Sequence, residues 1–167
     1  MTDLTDVADG GARLAVDVGT VRIGVAASAA GTTLAVPVET VPANADAVAR
    51  VVDIATERNA SVIYVGDPIR LNGEVGPAAL AAREFARLLM RRSGEQAASG
   101  SFTVTVHLVD ERLTSAQSGK QMRDAGRNTR KSRSVLDQAA AVAILQNALE
   151  RERVTGRLAG VSAEQDD

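Results

Sequence analysis

The stretch RLAVDVGTVRIGVAA (residues 13–27) decides the fold. Arg13 to Val18 is a short apolar run with β-branched residues, the pattern of a buried strand. Gly19-Thr20 supplies a turn, and Val21 to Ala27 resumes as a second strand. Thr33 to Val41 (TLAVPVETV) makes a third after Gly31. Pro37 lies within it and has no amide to donate, which favours a sheet edge or a bulge. Three strands joined by tight turns imply an antiparallel meander.

Downstream the period changes. Asp46 to Arg58 sets Ala47, Val48, Val51, Ile54 and Ala55 at helical spacing, with a stop signal at Arg58-Asn59. Ser61 to Val65 (SVIYV) is a buried strand closed by Gly66-Asp67-Pro68, and a loop carrying Asn72-Gly73 follows. Pro77 to Arg92 reads as a long helix with Pro77 in its first turn, ended by a polar break from Gly94 to Ser101. Phe102 to Val109 (FTVTVHLV) alternates strictly, as a half-exposed strand does. Thr114-x-x-Gln117 resembles a capping box opening a short helix that ends at Gly126. Gly126 to Arg133 is a basic loop, and Ser134-x-x-Asp137 opens the final helix, which runs to near Arg153. The order βββαβαβαα predicts an α/β fold, one mixed five-stranded sheet with helices on both faces. The domain spans residues 12–153, with mobile termini at 1–11 and 155–167.

Composition narrows the chemistry. At 167 residues and 45% hydrophobic content the chain can bury one core. No cysteine is present, which excludes disulfides, a thiol nucleophile and cysteine-bound zinc. The one histidine, His107, excludes sites needing two, and no G-x-S-x-G elbow accompanies it. It lies inside an alternating strand and reads as structural. The net charge is −2, so nucleic acid could be held only by a local basic patch. Aromatic residues are 2% of the chain, too few for a base-stacking surface. No apolar run reaches membrane-spanning length and the first residues do not form a signal peptide, so the expected location is the cytoplasm. What remains is carboxylate chemistry with a hard metal ion.

Three carboxylates occupy positions where burial is expensive. Asp17 lies inside LAVDVG; ionised there, it needs a cation, or it hydrogen-bonds the Gly19-Thr20 turn instead. Asp110-Glu111 ends a strand, and alternation lets only one of the two face Asp17's site. The other pairs locally with Arg112; an exposed acidic strand end is the alternative. Asp137 fits the third position of a capping box with Ser134, which by itself is a structural role. Their convergence, with no thiol and one imidazole to compete, points to Mg²⁺ or Mn²⁺.

The segments LAVDVGTVRIGVA (14–26), VGDPIRLNGEVGPAA (65–79), VDERLTSAQ (109–117) and KSRSVLDQAAAVAILQNALE (131–150) together resemble the YqgF/RuvX family of Holliday-junction-resolvase-like nucleases. The resemblance implies an RNase H-like fold and phosphodiester hydrolysis dependent on divalent metal, with two Mg²⁺ or Mn²⁺ ions. It matches Asp17, Glu111 and Asp137 to the acidic positions of the site, as catalytic residues and metal ligands. It also implies processing of the 5′ end of pre-16S ribosomal RNA, or cleavage of Holliday junctions. The family usually has an apolar residue where this chain has Asp67. Asp67 either lies exposed in its turn or alters the metal site, and Asp110 is a further candidate ligand.

Arg127, Arg130, Lys131 and Arg133 form a run without an acid, leading into the helix that bears Asp137. Such a run is a solvated loop or a phosphate-binding surface, and its place beside Asp137 favours the second. Arg70 and Asn72 border the same cleft. The expected partners are structured RNA or branched DNA, with no membrane, and a two-fold dimer would suit a symmetric junction. Two other readings stay open: a nucleic-acid-binding factor without catalysis, and an ATP-binding module of the actin-like class built on D-V-G-T. The latter normally encloses its nucleotide between two such domains.

Overall fold

The structure is a computed structural model that describes residues 9–100, 104–113 and 130–165. Strands β1 (Ala12–Val18), β2 (Arg22–Ser28) and β3 (Val36–Pro42) precede helix α1 (Ala47–Glu57) and strand β4 (Ala60–Asp67). Helix α2 (Pro77–Ala98), strand β5 (Thr105–Asp110), helix α3 (Arg130–Thr155) and strand β6 (Val161–Ser162) follow. All six strands form one sheet in the order β3-β2-β1-β4-β5-β6. The meander is antiparallel, β1-β4 and β4-β5 are parallel, and β6 returns antiparallel to β5.

Alternation along β1 sorts the two faces. Leu14 and Val16 join Ile23, Val25, Ile63 and Val65 in a core shared with Val51, Val52 and Ile54 of α1 and Phe85 and Leu89 of α2. Ala15, Ala26, Val62 and Tyr64 pack on the opposite face against Ala141, Ile144, Leu145 and Ala148 of α3. Gly24, Ala15, Ala26 and Gly66 on that face let α3 lie close to the sheet there. Pro37 is on the edge strand β3, beside a register irregularity at Val25/Ala26, so both reasons for tolerating it hold. Asn59 takes a left-handed conformation just past α1, as its stop signal requires.

Four expectations need correction or fall outside view. The sheet has six strands rather than five; β6 arises from the segment read as a loose terminus. Helix α2 continues through Gly94 to Ala98, because one helical glycine costs only about 1 kcal/mol. Helix α3 begins at Arg130, so the basic segment is not a loop as far as Arg133 and Ser134 does not open the helix. The short helix expected from Thr114 to Gly126 lies outside the described residues.

The carboxy-terminal segment is fastened from both sides. Ala159 N–H donates to Tyr64 Oη at 3.1 Å, and His107 Nδ1 lies 2.9 Å from the Ala159 carbonyl oxygen. A carbonyl only accepts, so the imidazole carries a proton on Nδ1. His107 also meets Tyr64 edge to face, which gives the histidine the structural role its strand position suggested. Among the described residues no helix is long and apolar enough to cross a membrane.

Candidate active site

Asp17 is the sixth residue of β1, on the α3 face with Arg13 and Ala15. Its antiparallel neighbour on β2 is Gly24. On the other side Val16 pairs with Val65, which puts Gly66 beside Asp17 one step further along the parallel ladder. Asp17 is therefore flanked by glycine on both neighbouring strands, each about 4.8 Å away.

Those glycines are occupied from above. A Cβ on Gly24 would stand 2.0 Å from the Asp137 carbonyl oxygen, so the backbone of α3 rests directly on β2 there. A Cβ on Gly66 would stand 2.4 Å from Glu111 Oε1 and 2.6 Å from Ile144 Cδ1. Any side chain at either position would push the helix or the Glu111 carboxylate off the sheet. Helix α3 and Glu111 thus flank Asp17 from its two sides, on one face. All three acidic residues are buried: Asp17 is 2%, Glu111 0% and Asp137 5% exposed.

The approach of α3 is fixed by polar contacts with the edge strand. Gln138 Nε2 donates to Thr40 Oγ1, whose hydroxyl donates to the Ser134 carbonyl. Further along, Gln146 accepts from Ala35 N–H and donates to the Thr33 carbonyl. Because α3 starts at Arg130, Asp137 sits well inside the helix and not at its opening. Instead, Asp137 Oδ2 accepts a hydrogen bond from Arg22 Nε at 2.9 Å.

Alternation separates the neighbouring acids as expected. Glu111 turns inward, whereas Asp110 accepts from the backbone N–H, Nε and Nη2 of Arg112. The Arg112 hydrogen bonds hold the Asp110 carboxyl below the usual carboxylate range, against the opposing effect of burial. Asp67 is neither exposed in a turn nor part of the group around Asp17. It ends β4 on the opposite parity, buried, and Arg83 of α2 donates to it through Nη2 at 2.9 Å.

The donors suit a hard divalent ion in kind, since all are carboxylate oxygens on one buried face. Their arrangement falls short. Among the described residues no group of three or more His, Asp or Glu side chains is set to hold a metal ion. The third carboxylate, Asp137, is drawn to Arg22.

Of the basic candidates, Arg127 lies outside the described residues, and Arg130, Lys131 and Arg133 form the start of α3. Asn72 Oδ1 accepts from Glu74 N–H, and Arg70 N–H donates to the Glu74 carbonyl, so both shape the β4–α2 turn. The Arg70 guanidinium lies against Gly76 and 3.5 Å from the Glu74 carboxylate. Gly73 of this turn faces the Arg112 guanidinium, which is held by Asp110. Sequence reading overlooked Arg22, Gly24 and Gly66. Parity could have found the first two, since Arg22 and Gly24 share the strand face that looks toward Asp17's side.

Comparison with known proteins agrees with this architecture. A solved structure, "T. thermophilus RuvC in complex with Holliday junction substrate", superposes with a TM-score of 0.55 at 13% identity, covering 89% of this chain and 98% of that one. The fold is RNase H-like. A Streptomyces coelicolor protein named "Putative pre-16S rRNA nuclease" is 45% identical, covering 98% of this chain and 97% of its own. A protein of the same name from Leifsonia xyli is 42% identical over 90% of this chain and 92% of its own. A family model described as RuvX, Holliday junction resolvase, matches residues 11–151. With that match running from β1 through β5 and most of α3, the chain belongs to the RuvX family.

Proposed function

We propose that this protein is a divalent-metal-dependent nuclease that hydrolyses phosphodiester bonds in structured nucleic acid, with precursor 16S rRNA as its substrate and branched DNA as the comparison. The observation that carries the reading is the row Gly24–Asp17–Gly66, with the Asp137 backbone and the Glu111 carboxylate seated on its two glycines. The names of the relatives supply the substrate classes.

Asp17, Glu111 and Asp137 are the residues that would hold Mg²⁺ or Mn²⁺. When bound, such ions lower the pKa of attacking water and offset charge on the phosphate and leaving oxygen. Asp17 fixes the position of the scissile phosphate because its backbone is locked in the sheet between β2 and β4. Glu111 carries its carboxylate on a buried stem, which keeps bulk water away from that flank. Arg127, Arg130, Lys131 and Arg133 neutralise phosphates entering beside Asp137, with Arg70 and Asn72 on the opposite rim. Backbone contacts of this kind select shape over base sequence. An rRNA nuclease of this kind would work in the cytoplasm.

The test is a cleavage assay offering a pre-16S rRNA fragment and a four-way DNA junction side by side, in Mg²⁺ and in Mn²⁺. Asp17→Asn should lower cleavage at least about a hundredfold while leaving the melting temperature and nucleic-acid affinity nearly unchanged. Full cleavage by this variant would remove Asp17 from the reaction. Binding of both substrates by the wild type without cleavage would make the protein a non-catalytic factor.

A further inference from the structure

The geometry points to a second ligand site, at the other end of β1 from Asp17, that takes an uncharged nucleobase with an imide edge, such as the base of uridine. The site stands apart from the nuclease reading and does not depend on it.

A cavity of about 280 Å³ opens between the start of β1, the β2–β3 connection and the end of α3. The pair Arg13–Glu152, 1% and 9% exposed, lines it from the inside. Arg13 precedes Asp17 by four residues on β1, which puts the two roughly 13 Å apart. Gly10, Gly31 and Gly156 line the cavity too, and a Cβ on any of them would meet nothing within 4 Å. The Gly31 N–H donates to the Gly10 carbonyl at 2.6 Å, which ties two of these walls together. Glycine backbone, with Leu149 beside it, leaves room for a flat ring.

Charge selects against ions. Each guanidinium at the cavity already faces a carboxylate, Arg13 with Glu152 and Asp9, and Arg153 with Glu150. An added anion would meet those acids and the negative end of α3, and an added cation would meet the guanidinium groups. Hydrogen bonding then selects among neutral ligands. Arg153 spends Nε and Nη2 on Glu150, and its Nη1 hydrogens have no acceptor among the described residues. At the end of α3 the carbonyls of Arg151 and Glu152 accept from Thr155 Oγ1 and the Gly156 N–H. Those of residues 153–155 receive no donor among the described residues. Arg153 and Gly156 both line the cavity, so donor N–H and acceptor carbonyls reach it from one helix turn. A ligand that answers both carries a carbonyl next to an N–H, which is the imide edge of a uracil-type base.

The test titrates uridine into the full chain, read by heteronuclear NMR and calorimetry, beside N3-methyluridine and orotate. Uridine should shift the amides of Gly10, Gly31 and Gly156 and leave those of Asp17 and Gly24 in place. N3-methyluridine, which lacks the imide N–H, should bind about fivefold more weakly, and so should uridine to Arg153→Leu. Arg153 is exposed, and losing its surface ion pair leaves the fold intact. Orotate, the same ring bearing a carboxylate, should bind more weakly than uridine. No shift at the three glycines up to the solubility limit of uridine overturns the site. Shifts at Asp17 and Gly24 instead move the nucleoside to the acidic face and overturn it as well. Equal binding of N3-methyluridine, undiminished binding by Arg153→Leu, or orotate binding as tightly as uridine overturns the ligand class. Each of these failures leaves the nuclease reading standing.

Discussion

Arg13 is 1% exposed, yet every part of its guanidinium is answered. Nε and Nη2 donate to Glu152 at 3.0 and 2.7 Å, and Nη1 donates to Asp9 and to Ser61 Oγ, each at 2.8 Å. Tyr64 Oη donates to the remaining side of Glu152 at 2.9 Å. Burial alone would favour loss of the Arg13 proton, but the Glu152 and Asp9 contacts outweigh it and hold the guanidinium more firmly charged than usual. Burial likewise pushes the Tyr64 phenol above its ordinary range, so it stays a donor. Removing one partner strands the other charge: Glu152→Ala should cost about 3–5 kcal/mol in urea unfolding. The double change Arg13→Met/Glu152→Leu should recover most of that loss. Asp110 makes the opposite kind of pair, at the surface. Its folded pKa lies below its unfolded one, so its contribution is present above the unfolded carboxylate value and disappears as pH falls through the folded value. Asp110→Asn should therefore melt below wild type at pH 7, and the gap should close in strong acid.

At the level of elements, α3 and the sheet meet through two missing side chains. Gly24→Ala places a methyl 2.0 Å from a backbone oxygen, so helix or strand must move, at about 1–3 kcal/mol. Gly66→Ala meets the Glu111 carboxylate instead and should damage cleavage more than stability, as chemical denaturation and the cleavage assay together will show. The strands that surround these glycines were readable from sequence, because each is a short β-branched run ended by a turn residue. Asp17 and the pair Asp110-Glu111 stood out for the same reason, a charge within or just beyond an apolar run, but the choice of Glu111 over Asp110 came from the family resemblance and not from the pattern. The start of α3 was not. Ser134-x-x-Asp137 imitates a helix opening, and only the contact between Asp137 and Arg22 on a strand far away in sequence reveals its different role. Strand β6 is two residues long and carries no period at all; Tyr64 and His107 hold its approach through backbone atoms. Information of that kind is tertiary.

For the whole molecule, the net charge of −2 means that attraction to nucleic acid must come from one patch. If Arg127, Arg130, Lys131 and Arg133 each neutralise a phosphate, log affinity should fall with log salt at a slope near about −3.6 on a duplex. Arg130→Ala/Lys131→Ala should halve that slope to about −1.8, read by fluorescence anisotropy across a salt series. An unchanged slope would assign these cations to solvent. The distance along the chain between Arg13 and Glu152, 139 positions, has a bearing on biosynthesis. At about 5–20 residues per second, the ribosome delivers the glutamate roughly 7 to 28 seconds after the arginine. Until then the middle of the nascent sheet stays hydrated and accessible to proteases. A message broken before the Glu152 codon would yield a polypeptide that never seals its own centre.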